Sequence, residues 1–204
     1  MPGTLGYPSI MAFPTAYGMD MRAAGDGLET AAPEAARRAL AEVGSPDGGA
    51  ASLILSGEDE TEAFGRLLAG ALDAGDTVLL SGTLGAGKSA LARAILRARL
   101  ADPAAEVPSP SYTLVNVYEP PAGPPVWHAD LYRLGDSSEL AELGLEDAFA
   151  STICLVEWPD RLPSQPARRL EIALALPDDA SGEDVRRAEI TATGSWPRLE
   201  ALAA

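Results

Sequence analysis

The residues with the clearest chemical pattern are Gly82-Thr83-Leu84-Gly85-Ala86-Gly87-Lys88-Ser89. Glycines spaced in this way let a backbone turn tightly and aim several N–H groups at one point, where the oxygens of an anion can accept them. A helix beginning near Lys88 adds the positive end of its dipole. Lys88 then reaches the β- and γ-phosphates of a nucleotide, and Ser89 offers its hydroxyl to Mg²⁺. The pattern G-x-x-x-x-G-K-[ST] is specific when it joins a strand to a helix. Here Thr77-Val78-Leu79-Leu80-Ser81 reads as a buried strand before it and 89–100 as a helix after it. A glycine turn with an incidental lysine is the poorer reading.

Such a loop needs a partner, a carboxylate at the end of a neighbouring strand that holds Mg²⁺ directly or through water. Glu157 closes the apolar run Ile153-Cys154-Leu155-Val156 and precedes Trp158-Pro159, where the strand must stop. Asp130 lies near the end of a second apolar run at 126–132. It is either a second site acid or a cap or ion-pair partner of Arg133. His128, one strand-face step from Asp130, reads by itself as a structural histidine, and Cys154 as packing. Asp136, Glu139 and Glu142 sit in a helical polar pattern that reads as solvated surface.

The elements that must position these groups are legible in the periodicity. Residues 52–55 read as a short strand, and 58–73 as a helix with acidic residues in its first turn, where they suit the dipole. Two strands, 113–118 and 126–132, are joined by a Pro/Gly-rich turn too short for a crossover helix, which predicts an antiparallel hairpin. Residues 137–149 read as a helix in two pieces broken at Gly144, and 153–157, 170–176 and 185–193 as strands, with a terminal helix at 196–202. The expected fold is α/β, a three-layer P-loop NTPase with a mixed, mainly parallel sheet. Residues 1–50 are rich in Gly, Pro, Ala and Met, and only 33–43 read as a helix, bounded by Pro33 and Gly44. The expected division is therefore a flexible N-terminal extension over 1–50 and one P-loop domain over 51–204.

Bulk properties narrow the function. The chain has 204 residues, 47% hydrophobic and 22% charged, which is ordinary globular composition. One cysteine and one histidine exclude an internal disulfide framework and a clustered Cys/His zinc site. No apolar run approaches the roughly 20 residues that span a bilayer, and no secretory signal is evident, so a cytoplasmic location and no membrane partner are expected. The net charge of −15 argues against unaided nucleic-acid binding, which rests on clustered Lys and Arg. Arg93, Arg97 and Arg99, then Arg168-Arg169 and Arg186-Arg187, are candidates for a local basic patch and read as solvated faces.

Taken in order, these blocks resemble the TsaE family, also called YjeE, the ATPase of bacterial threonylcarbamoyladenosine tRNA modification. The resemblance spans about residues 52–194 and is carried by LSGTLGAGKS at 80–89, VPSPSYTLVNVYE at 107–119, HADLYRL at 128–134, ELGLEDAF at 142–149 and ICLVEWPDRLP at 153–163. The phosphate loop alone names a superfamily, whereas the ordered set with its Glu-Trp-Pro block is far more specific. The resemblance implies that Thr83, Leu84, Gly85, Ala86, Gly87, Lys88 and Ser89 bind ATP, with Ser111 and Trp158 also at the nucleotide. It implies Lys88, Asp130 and Glu157 as catalytic residues and Ser89 and Glu157 as Mg²⁺ ligands. Ser111, Tyr112 and Thr113 would lie in a nucleotide-sensitive loop. The implied partners are TsaB and TsaD, with tRNA reached through them. Thr83 stands where the family usually has an acidic residue, and Ser89 and Ser111 where it often has threonine. Two rival functions use the same loop. A small-molecule kinase needs an Arg-rich lid that the Pro-broken stretch 102–112 does not offer. A nucleotide-gated binding module with little catalysis is kept in play by Thr83.

Overall fold

The computed structural model describes residues 32–46, 48–135, 144–177 and 184–203. Within them lies a seven-stranded sheet comprising β1 (Ala50–Ser56), β2 (Thr77–Ser81), β3 (Val115–Tyr118), β4 (Val126–Asp130), β5 (Ile153–Glu157), β6 (Arg169–Ala175) and β7 (Val185–Thr193). Its order is β1-β7-β6-β2-β5-β4-β3. The pairs β6–β2, β2–β5 and β5–β4 are parallel, while β3–β4, β6–β7 and β7–β1 are antiparallel. The sheet is thus mixed, with a parallel centre, as the short 119–125 connection predicted.

The sequence explains where each strand sits. In β5 every residue is buried, which a continuous apolar run permits only when both faces of a strand are covered. In β1 burial alternates strictly, so one face meets the core and the other meets solvent. Two apolar cores result, one on each side of the sheet. Val78, Leu80, Leu155 and Ile172 point into the larger, beneath α2 (Gly57–Ala71) and α3 (Lys88–Arg99). Leu79, Cys154 and Val156 point into the smaller, where α4 (Leu145–Ser151) contributes Leu145 and Ala148. Helix, sheet and helix form the three layers.

Several boundaries depart from the sequence reading for local reasons. β3 begins at Val115 because Leu114 adopts φ 62°, a left-handed conformation that cannot continue a strand. β4 ends at Asp130, whose own Oδ1 accepts the Tyr132 N–H at 3.1 Å and turns the chain away. The terminal helix is only α5 (Pro197–Glu200), followed by a 3₁₀ turn at Ala201–Ala203. The second piece of the broken helix is α4, starting after Gly144 at φ 69°; the first piece falls outside the described residues.

The largest departure concerns α1 (Ala32–Gly44), expected inside a flexible extension. It buries Ala36, Leu40 and Val43 in the larger core alongside Leu199 of α5 and Leu53 of β1. Its i, i+4 and i+7 apolar stripe is reason enough for it to dock. The packed unit therefore begins by residue 32 rather than at 51, and 1–31 lie outside the described residues. The arginine groupings are tied down locally. Arg97 Nε donates to the Ala105 carbonyl at 3.2 Å and Arg99 Nη1 to that of Ala69 at 3.3 Å. Arg168 Nε lies 2.8 Å from the buried Asp76 carboxylate. Among the described residues no helix is long and apolar enough to cross a membrane.

Candidate functional site

The loop between β2 and α3 has the shape its glycines allow. Gly82, Gly85 and Gly87 take φ values of 133°, 80° and 105°, a region that side-chain-bearing residues rarely enter. At Gly82 a Cβ would run into the Leu174 carbonyl of β6, so the loop can lie on the sheet only with glycine there. Ala86 is fully buried beneath the loop, while Thr83, Leu84 and Gly85 form its exposed crest. α3 begins at Lys88, so the N–H groups of its first turn, which have no partner within the helix, lie where the loop meets Lys88 and Ser89.

Lys88 is 4% exposed and folds back along the loop. Its Nζ donates to the carbonyls of Gly82 at 2.9 Å and Thr83 at 2.8 Å. The indole of Trp158 covers the ammonium at 4.0 Å from the ring centroid, a cation–π contact. Burial lowers the Lys88 pKa from its ordinary value, and the carboxylates of Glu157 and Asp130 oppose that shift. Trp158 reaches this position through a left-handed backbone, φ 60° and ψ 54°, immediately after the last residue of β5. Strain of this kind in a non-glycine residue concentrates at functional sites. Tyr132 packs against the same indole at 4.9 Å between centroids.

The two acids come from adjacent parallel strands and lie opposite one another in register, Asp130 on β4 and Glu157 on β5. Both are buried. Glu157 Oε2 accepts the Ser89 hydroxyl at 2.7 Å, and Oε1 lies 2.9 Å from His128 Nε2. Asp130 Oδ2 accepts the hydroxyls of Ser111 at 2.7 Å and Ser109 at 2.9 Å. Arg133, the alternative partner for Asp130, lies instead over the Tyr112 ring at 4.5 Å. A cleft of about 320 Å³ is lined by Gly87, Lys88, Ser89, Asp130, Glu157 and Trp158, among others.

Of the sequence-predicted residues, Leu84, Gly85, Gly87, Lys88, Ser89, Ser111, Asp130, Glu157 and Trp158 line one cleft, whereas Ala86 is buried beneath the loop and Thr83 stands on its exposed crest outside that lining. Ser109 and Tyr132 were not singled out from sequence. The i, i+2 serine pair before β3 was the available signal for Ser109; for Tyr132 the strand reading hid it, because the chain leaves β4 before reaching it. Among the described residues no cluster of three or more His, Cys, Asp or Glu forms a metal cage. The donor set at Ser89 and Glu157 still fits Mg²⁺, a hard cation that takes one or two protein oxygens and completes its shell with phosphate and water.

A second groove, of about 280 Å³, opens on the other side of the loop. It shares Gly87 and Ala90 with the first and is lined further by Leu55, Thr61, Arg93 and Leu174. Their shared residues, Gly87 and Ala90, lie at the N-terminus of α3.

The family described as "Threonylcarbamoyl adenosine biosynthesis protein TsaE" matches residues 55–186. The tRNA threonylcarbamoyladenosine biosynthesis protein TsaE of Rickettsia bellii is 35% identical over 127 residues, covering 62% of this chain and 87% of that protein. That of Mycobacterium tuberculosis is 36% identical over 171 residues, covering 79% and 95%. The crystal structure of Bacillus subtilus YdiB superposes with a TM-score of 0.55 at 28% identity, covering 76% of this chain and 92% of that one. A nucleotide-type phosphate loop, a parallel-centred sheet and a match across the whole site make this chain a member of the TsaE family of tRNA threonylcarbamoyladenosine biosynthesis.

Proposed function

We propose that this chain hydrolyses ATP with Mg²⁺ in support of a TsaB–TsaD assembly that transfers threonylcarbamoyl to adenosine 37 of tRNA. The observation that carries the reading is the meeting of Ser89, Glu157 and Asp130 at the N-terminus of α3, with two oxygen-bearing side chains already 2.7 Å apart. ATP seats its phosphates on the N–H groups of the loop and α3, with the nucleoside in the groove beside Leu55, Thr61 and Arg93 and the γ-phosphate toward the acids. Lys88 exchanges the Gly82 and Thr83 carbonyls for β- and γ-phosphate oxygens, which are better acceptors because they carry charge.

Mg²⁺ held by Ser89 and Glu157 would supply positive charge to the phosphate oxygens as the terminal bond breaks. Asp130 orients the attacking water and takes its proton. The water oxygen bonds the γ-phosphorus, the bond to the β–γ bridging oxygen breaks, and ADP and inorganic phosphate leave. Lys88 and the loop N–H groups stabilise the charge that gathers on the equatorial oxygens. Trp158 and Tyr132 wall one side of the cleft and limit water beside the lysine. The net charge of −15 suits a cytoplasmic helper whose partners hold the RNA.

The test is phosphate release from ATP and Mg²⁺ by the full chain, alone and with purified TsaB–TsaD, beside Lys88→Ala. Turnover that rises with the partners and vanishes in the variant supports the proposal. Bound ATP without turnover in either condition contradicts it and favours a nucleotide-gated binding module.

A further inference from the structure

His128 is the chain's single histidine and lies 1% exposed inside the sheet, two residues before Asp130 on the same face of β4. Its Nε2 meets Glu157 Oε1 at 2.9 Å, while the other carboxylate oxygen takes the Ser89 hydroxyl at 2.7 Å. The two oxygens of Glu157 are therefore gripped by two different elements, β4 and α3. We propose that His128 is a positioning residue that holds Glu157 for the metal, acting through a single fixed tautomer of its ring. The proposal rests on the reading of Ser89 and Glu157 as the Mg²⁺ ligands.

Geometry selects the tautomer. An ionised carboxylate only accepts hydrogen bonds. Nε2 must therefore carry the hydrogen, since the reverse tautomer sets two acceptors face to face at 2.9 Å. His128 Nδ1 is buried with no hydrogen-bond partner. With hydrogen on Nε2, the orphaned Nδ1 is a bare lone pair; in the reverse tautomer it would be an orphaned N–H, which is rarer in protein interiors. Together with the Ser89 hydroxyl bond, the Nε2–H bond fixes the terminal torsion of Glu157, otherwise a soft two-fold rotor, and it is the one of the two that remains when Ser89 turns to the metal. Carboxylates that ligate metals are commonly held by such outer partners, and losing one typically costs 10- to 100-fold in metal affinity.

Two substitutions separate positioning from simple packing. Glutamine carries its amide nitrogen close to where Nε2 lies, whereas asparagine carries it only as far as Nδ1. Mn²⁺ binding in the presence of ADP is followed by electron paramagnetic resonance for the wild-type chain, His128→Gln and His128→Asn. The expected result is Mn²⁺ affinity lowered about 10- to 100-fold in His128→Asn and largely restored in His128→Gln, with metal-free ADP binding unchanged in both. Equal affinity in all three, or equal loss in both variants, overturns the proposal. Failure of the wild-type chain to bind Mn²⁺ with ADP overturns the metal-site reading as well. The unmutated protein offers an independent check, because its one histidine gives one pair of imidazole ¹⁵N signals. Hydrogen on Nε2 and a bare Nδ1 are expected; the opposite tautomer overturns the proposal even if the chain proves to hydrolyse ATP.

Discussion

Asp130 and Glu157 stand side by side on neighbouring strands and share one cleft, yet they are held in opposite ways. Glu157 is fixed by regular structure: it ends a fully buried strand, accepts Ser89 from the first turn of α3 and meets His128 from the interior of β4. Asp130 takes its side-chain partners, Ser109 and Ser111, from a segment between α3 and β3 with no regular secondary structure. The next residue in that segment, Tyr112, is 85% exposed. Irregular segments open at lower free energy than strands and helices. One arm of the site is thus set by the fold and the other by a loop, a difference that the proposed roles, Glu157 on metal and Asp130 on water, would put to use.

The harshest way to break the comparison removes what both arms serve. Lys88→Ala should abolish turnover and weaken ATP binding, read by phosphate release and by equilibrium binding of a fluorescent ATP analogue. Asp130→Asn should lower kcat by about 10²- to 10⁴-fold with little change in KM, the pattern of a group acting in the transition state. A KM effect alone would place Asp130 in binding. Next comes the loop. Replacing Ser109 and Ser111 together with alanine should lower kcat by about tenfold, since hydrogen bonds to a charged group are worth about 1.5–3 kcal/mol and Asp130 keeps its Tyr132 N–H. Hydrogen exchange should quicken across 107–113 and stay unchanged in β5. Equal quickening in both would erase the distinction.

The smallest effect probes the rigid arm from within. Cys154, three residues before Glu157 on β5, is fully buried, and burial pushes its thiol from 9.0 up to about 11. A thiol whose pKa is raised in the folded state stays protonated while the unfolded chain ionises. Stability is therefore fully present below pH 9.0 and lost as pH rises toward about 11. Relative to Cys154→Ala, the wild type should lose about 1.4 kcal/mol per pH unit in that window, measured by urea unfolding. Parallel curves for the two proteins would mean that water reaches β5 and that this side is less rigid than described.

The two arms also differ in how far sequence alone disclosed them. Wherever one local rule dominates, reading was direct. Continuous apolar runs gave β2 and β5 residue for residue, and the short Pro/Gly connection gave the β3–β4 hairpin. The loop and Glu157 followed from motif and strand end. Asp130 stayed balanced between a site acid and an Arg133 partner, because its neighbours come from a loop about twenty residues upstream that no periodicity positions. The His128–Glu157 bond was hidden for a related reason, since it depends on which strands are adjacent in the sheet. The helix at 33–43 was legible but its docking was not: the Gly/Pro-rich composition of 1–50 suggested a flexible extension, while the small alanines around Leu40 let the helix lie close on β1 and α5.

The central claim is that the two carboxylates divide the work, Glu157 holding metal and Asp130 acting on water. Single-turnover phosphate release in the presence of TsaB–TsaD, followed as Mg²⁺ is raised, tests it most directly in Glu157→Gln and Asp130→Asn. The account predicts that Glu157→Gln recovers much of its rate at high Mg²⁺ because its defect is one of metal affinity. Asp130→Asn should remain slow at every concentration. Equal recovery of both variants, or recovery of Asp130→Asn alone, would contradict the division.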